Sequence, residues 1–257
     1  SISQKLRICY PCDYKALTPQ SPTRLKTYVL NISKNPNICL KRINQLHFPI
    51  PYAKIIFRSY KGQEMKMLTI SLGCLGFFCY FLYDYNSVRK IAGWMRSLFA
   101  AGSIFLMAAT GILFWENREN LFRASADGIW VAGGVFFLCL LVYTLFFALP
   151  FETTYVEESK YREAYTEGIY ALCRHPGVLW FGGFYLCAAA LWKSTEGILF
   201  SVIVVVLDVL YVVFQDAYSF PKTFSNYGEY RKSTPFLIPN GRSIARCRNH
   251  WRGAGRR

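Results

Sequence analysis

Two polar stretches in an otherwise apolar sequence carry the residue types that can hold a small charged molecule. The first runs Gly168-Ile169-Tyr170-Ala171-Leu172-Cys173-Arg174-His175-Pro176 and leads straight into an uncharged run. Pro176 fits the first position of a helix, where its missing N–H costs nothing. Arg174 and His175 then stand at a helix N-terminus, whose free N–H groups and dipole attract anions. A carboxylate or phosphate would dock there. The plainer alternative is an arginine that marks the end of a membrane span beside a histidine cap. The second stretch starts at Gln215-Asp216 and continues through Tyr218, Phe220, Phe224, Tyr227 and Tyr230. Its alternation of aromatic and polar residues suits a membrane–water boundary. A cationic corner and an acidic corner at one end of a helical hairpin would suit a zwitterion such as an amino acid group. Asp208, seven residues before Gln215, shares nearly the same helical face. An intramembrane carboxylate is a functional candidate by default; a protonated Asp bonded to a neighbouring helix is the alternative.

The elements that must position these residues are apolar. The chain has 257 residues, 53% hydrophobic and 18% charged, less charge than the roughly 25% of an ordinary soluble domain. Residues 68–83, 97–115, 128–151 and 176–192 contain no charge, and 197–215 contains only Asp208. A helix needs about 20 mainly apolar residues to cross the hydrocarbon. These runs show no alternation of period two, so a barrel is not expected. The expectation is an all-α integral membrane bundle of five transmembrane helices, the last two joined tightly over Lys193-Ser194-Thr195-Glu196.

Charge fixes the expected orientation. Of the net +15, residues 1–64 carry +9, residues 65–240 none and residues 241–257 +6. With a cytoplasmic C-terminus, fifteen Lys and Arg of the loops and tail lie inside, and only Lys66, Arg118, Arg123 and Lys193 lie outside, as the positive-inside rule requires. Residues 1–64 break that rule. They are expected to be a basic, poorly structured extension, read as upstream sequence ahead of Met65 and Met67; the competing reading is a genuine basic tail on a lipid surface. Residues 65–240 are then the membrane domain and 241–257 a basic C-terminal tail. Nucleic acid is not expected as a partner.

The remaining motifs carry little chemistry. Cys9-Tyr-Pro-Cys12 is the sole CxxC, with no second pair and no histidine at zinc spacing, so no metal site is expected. His47 and His250 read as surface residues. Thr154–Glu167 reads as a short surface helix with charge partners four residues apart. Ala132-Gly133-Gly134 reads as a close helix contact.

Taken together, Gly-x-Tyr-x-x-x-Arg-His-Pro, an apolar hairpin, a polar pair, and Phe-x-x-Tyr-x-x-Tyr-Arg-Lys-x-x-Pro-x-x-x-Pro over 224–239 resemble the isoprenylcysteine carboxyl methyltransferase and phospholipid methyltransferase superfamily. The resemblance covers about residues 160–240. It implies an integral membrane enzyme that uses S-adenosylmethionine to methylate a lipid-like or isoprenylcysteine carboxylate acceptor. It implies Tyr170, Arg174, His175, Gln215, Asp216, Tyr227 and Tyr230 as cofactor-binding residues, with Arg174, His175 and Asp216 closest to the chemistry. Arg231 and Pro235 match the closing segment. The chain departs from the pattern at Val178 and Trp180, where an aromatic residue and a glycine are usual, and at Gln215, where the first acid of a pair is usual. Methyl transfer from a sulfonium needs alignment and exclusion of water more than acid–base groups. Two other readings stand beside this one: a steroid 5α-reductase-like NADPH-dependent membrane oxidoreductase, and a non-catalytic membrane protein on the same scaffold.

Overall fold

Long apolar runs with no internal proline satisfy their backbone within one segment, which lipid requires. In the computed structural model of the chain, residues 50–148 and 162–254 are described, with side chains over 66–148 and 162–252. The chain divides into two units, Ser1–Glu64 and Met65–Arg257, and the bundle of apolar helices belongs to the second. The expected N-terminal extension, with Cys9, Cys12 and His47, lies outside the described residues up to position 49.

No strand occurs among the described residues, so the fold is all-α. Helix α1 spans Ile50–Arg89. Helix α2 spans Leu98–Glu116, after a 3₁₀ turn over Gly93–Ser97. Helix α3 spans Asp127–Val142 and widens into a π turn over Tyr143–Phe147. Helices α4 (Pro176–Trp192) and α5 (Thr195–Phe214) form the hairpin. A second π turn, Gln215–Ser219, carries α5 into α6 (Phe220–Thr223). Helix α7 (Tyr227–Ser233) and helix α8 (Gly241–Ala254) complete the chain.

Four segments are long and apolar enough to cross a membrane: Lys66–Arg89, Gly93–Glu116, Asp127–Phe147 and Thr195–Thr223. The fourth of the five expected spans, α4, is apolar but has only 17 residues. At 1.5 Å per residue it is about 25 Å long, short of the roughly 30 Å of hydrocarbon. Both of its ends are fixed by local chemistry. Pro176 starts it, and Lys193 ends it in the left-handed conformation at φ 53°. The next helix starts at once because the Ser194 side chain accepts the Gly197 N–H at 3.2 Å. Two bonds brace this turn. Lys193 Nζ reaches Asp127 Oδ2 at 2.7 Å, and Asn120 donates to the Trp192 carbonyl at 2.8 Å.

Phe77, Leu113, Phe181, Tyr185, Trp192, Phe200 and Val204 fill the centre of the bundle. Glycines let helices approach. A Cβ on Gly102 would stand 2.7 Å from the Gly76 carbonyl oxygen, and one on Gly183 2.6 Å from the Phe137 ring. Meanwhile Phe78, Ile104, Met107, Phe136, Leu186, Val202 and Leu210 face outward. So broad an apolar exterior would be a liability in water and is what a bilayer covers. Length, composition and this belt together describe a multi-pass membrane protein.

One expectation fails. Residues 162–167 of the expected surface helix are not helical; its earlier part lies outside the described residues. Asn226 clamps both backbone groups of Ala164, at 2.7 and 3.0 Å, and the Ser225 N–H reaches the Arg162 carbonyl at 2.9 Å. That pairing ties the segment to the residues just before α7. The basic C-terminal tail is helical over Gly241–Ala254. Asn240 and Ser243 cap it reciprocally, each side chain accepting the other's backbone N–H at 3.0 and 2.9 Å, a capping-box arrangement.

Candidate functional site

The hairpin carries the start of α4 and the end of α5 to one end of the bundle, and α7 folds across both. Asp216 lies at the centre, 6% exposed. It sits in the π turn, a wider turn of the kind frequent at functional sites. Arg174 Nε donates to its Oδ1 at 2.8 Å and Nη2 to its Oδ2 at 3.2 Å. Tyr227 donates its hydroxyl to Oδ1 at 2.5 Å. Arg231, largely exposed, brings Nε to 3.6 Å from Oδ2. The remaining face of Arg174 is also engaged: Nη1 donates to the carbonyls of Thr234 at 2.7 Å and Arg231 at 3.1 Å. The guanidinium thus pins the segment after α7 onto the mouth of α4. The fork geometry of arginine, which lysine lacks, suits this double task.

This geometry revises the picture of two separate corners. Arg174 and Asp216 do share one end of the bundle, but they hold each other. The N-terminus of α4 is also partly engaged. The Arg174 and His175 backbone N–H groups donate to the Pro235 and Phe236 carbonyls at 2.9 and 3.3 Å. His175 occupies the N-cap position without making a side-chain cap. Its ring instead stacks on Phe220 at 5.5 Å between centroids and meets Phe236 edge-on at 5.2 Å. Nε2 lies 3.5 Å from Asp216 Oδ1, yet has no partner in hydrogen-bond geometry. Ser219 Oγ, buried in the same π turn, also lacks a partner. Among the described residues, His175 Nε2 and Ser219 Oγ are two of four buried side-chain polar atoms without a partner, the others being Arg162 Nε and Trp192 Nε1; a buried orphan costs about 1–3 kcal/mol unless something satisfies it.

Burial sets the protonation states around the pair. It holds the His175 pKa below the ordinary histidine value, against the pull of Asp216 and with the Arg174 charge reinforcing it, so the ring is neutral near pH 7. Burial pushes the Cys173 thiol up to about 11, despite the His175 backbone and Arg174, which makes it a poor nucleophile. The Tyr227 phenol is raised by burial first and by its bond to Asp216 second. Tyr230 is raised chiefly by burial.

The other expected site residues surround this centre. Tyr230 donates to the Tyr170 carbonyl at 2.7 Å, and Tyr170 donates to the Thr144 carbonyl at 2.9 Å in the π turn after α3. Gln215 points elsewhere. Its Nε2 donates to Asp84 Oδ2 at 2.7 Å, on α1. Asp84 and Thr144 are the residues that sequence reasoning missed. Asp84 had a signal, a lone acid directly after the first apolar run; Thr144 had none. The departures at Val178 and Trp180 have packing roles: Val178 is in the core, and Trp180 Nε1 donates to Thr144 Oγ1 at 3.1 Å. His250 is a partly exposed residue whose Nδ1 lies 3.4 Å from the exposed Glu167. Asp208 lies mid-helix in α5, partly buried.

Comparison with protein-family profiles, curated proteins and solved structures finds no match to this chain.

Proposed function

We propose that this chain is an integral membrane methyltransferase that uses S-adenosylmethionine to methylate a lipid-like or isoprenylcysteine carboxylate acceptor. One observation carries the reading. The motif segments 215–219 and 227–236 and the segment 170–175, distant from both in sequence, converge on one buried polar junction, where His175 Nε2 and, in the same π turn as Asp216, Ser219 Oγ stay without partners. In the same reading α4 counts as a fifth span, tilted little or seated in a thinned bilayer, and the C-terminus is cytoplasmic by the positive-inside rule.

The residues fit the cofactor in a revised arrangement. Arg174 and Asp216 position rather than grip: they lock the closing segment to the hairpin. His175 Nε2 and Ser219 Oγ are the groups that would meet the cofactor's polar end, with the exposed guanidinium of Arg231 near its carboxylate. When bound, the cofactor supplies an electrophilic methyl group on a sulfonium. The protein contributes binding, alignment and water exclusion, for which the aromatic walls of Phe220, Tyr227 and Phe236 are suited. A neutral His175 adds no positive charge beside a sulfonium. The acceptor reaches the junction sideways from the bilayer, between helices.

The test is transfer of a labelled methyl group from S-adenosylmethionine into extracted lipid or a prenylcysteine analogue, by protein reconstituted in liposomes. Transfer above that of a His175→Phe variant supports the reading; none with either acceptor class counts against it. The mutual saturation of Arg174 and Asp216 favours a second reading, a non-catalytic membrane protein whose junction is purely structural. Under it, neither S-adenosylmethionine nor its demethylated product binds.

A further inference from the structure

Helix α8 carries Arg242, Arg246, Arg248 and Arg252 and no acid. One side of it packs on the junction. Ser243 is fully buried, His250 contacts Glu167, and Arg246 donates to the Ser233 carbonyl and, at 3.2 Å, to Thr234 Oγ1. Thr234 also supplies a carbonyl to Arg174, so α8 braces the segment that Arg174 pins. A second side is apolar and uncovered. Ile244 and Trp251 recur seven residues apart, with half-buried Cys247 between them, and both are about half exposed. Exposed Arg248 borders this stripe, and exposed Arg242 extends from the first turn.

The location of the stripe says what covers it. Trp251 meets the ring of Tyr143 at 6.5 Å, and Tyr143 opens the π turn near the end of the Asp127–Phe147 segment. Helix α8 therefore lies where a membrane-length helix runs out, level with the headgroups. A helix with an apolar stripe, flanking arginines and no acid has the pattern of one lying in the plane of an anionic membrane surface. We propose that α8 is an interfacial helix that binds anionic lipid, with Ile244 and Trp251 in the acyl boundary and Arg242 and Arg248 on headgroup phosphates. Anionic lipid thereby stabilises the strap that holds Thr234 over Arg174. This inference does not depend on the methyltransferase reading.

The test is amide hydrogen exchange over 241–252 in the full chain. It compares nanodiscs of phosphatidylcholine alone with nanodiscs containing about one-third phosphatidylglycerol. Exchange should slow roughly thirtyfold in the anionic discs, the scale expected for two arginines at such a surface. The gain should vanish in Arg242→Gln/Arg248→Gln and at high salt, which screens surface charge. Equal exchange in the two discs overturns the proposal, as does a gain that survives the double substitution. Inorganic phosphate that reproduces the gain in phosphatidylcholine discs would show a simple anion site and overturn it too. Trp251→Ala should weaken protection in both discs; unchanged protection contradicts the placement of the stripe.

Discussion

Arg174 and Asp216 provide the sharpest perturbation. Arg174→Met removes the guanidinium and leaves Asp216 buried, with Tyr227, His175 Nε2 at 3.5 Å and the largely exposed Arg231 as its remaining neighbours. Breaking a buried pair from one side costs about 3–5 kcal/mol. The same change strips the Thr234 and Arg231 carbonyls of a donor, at up to about 1–3 kcal/mol for each one left unsatisfied. Asp216→Leu strands the guanidinium and the Tyr227 hydroxyl and should cost about as much. The double variant leaves no unpaired charge. Its remaining cost is the lost carbonyl and phenol bonds, so it should be no less stable than either single variant. The assay is SDS-titrated unfolding in mixed micelles, followed by far-UV circular dichroism. Single costs that simply add in the double variant, within about 0.5 kcal/mol, would refute a direct buried pair. If both single variants fail to fold while the double folds, the coupling is shown by that alone.

The same geometry sets further outcomes. His175 has a lowered pKa in the folded protein, so the unfolded chain takes up the proton first as pH falls. Its contribution is intact above about pH 6.5, the ordinary histidine value, and is lost on acidification toward the lower folded value. The melting temperature should therefore drop from pH 7.5 to 5 by more in the wild type than in His175→Phe, and parallel drops would contradict the assignment. Tyr227→Phe deletes a bond to a charged acceptor and should cost about 1.5–3 kcal/mol in the same unfolding assay; an unchanged midpoint would refute that bond. Gly102→Ala forces the Gly76 and Gly102 backbones apart and should destabilise the bundle by about 1–3 kcal/mol; a neutral result would mean the helices are not in backbone contact.

What the sequence disclosed depended on which physical rule was at work. The apolar segments were legible because lipid demands length and lack of charge, and the tight hairpin because Lys193, Ser194 and Glu196 are turn and cap residues. Helix ends were less legible. Lys66 and Asp84 bound the charge-free run, but charge does not break a helix, so α1 continues from Ile50 to Arg89. That Arg174 and Asp216 meet at one end followed from topology. That they touch did not, because periodicity places residues on faces and not at distances. The same gap hid Asp84 beneath Gln215, a partnership across 131 positions. Residues 162–167 were misread because their charge spacing suits a helix, whereas Asn226, far along the chain, takes their hydrogen bonds. The terminal arginines disclosed a basic tail but not its helix, which Asn240 and Ser243 cap.

The central claim is that the junction under α7 receives a cofactor, and equilibrium binding of S-adenosylhomocysteine to the detergent-solubilised chain measures it most directly. Saturable binding of one molecule per chain is predicted, weakened about two- to tenfold by His175→Phe, which keeps the ring stack and removes one neutral hydrogen bond. Absence of saturable binding in a folded sample, or equal binding by that variant, would contradict it.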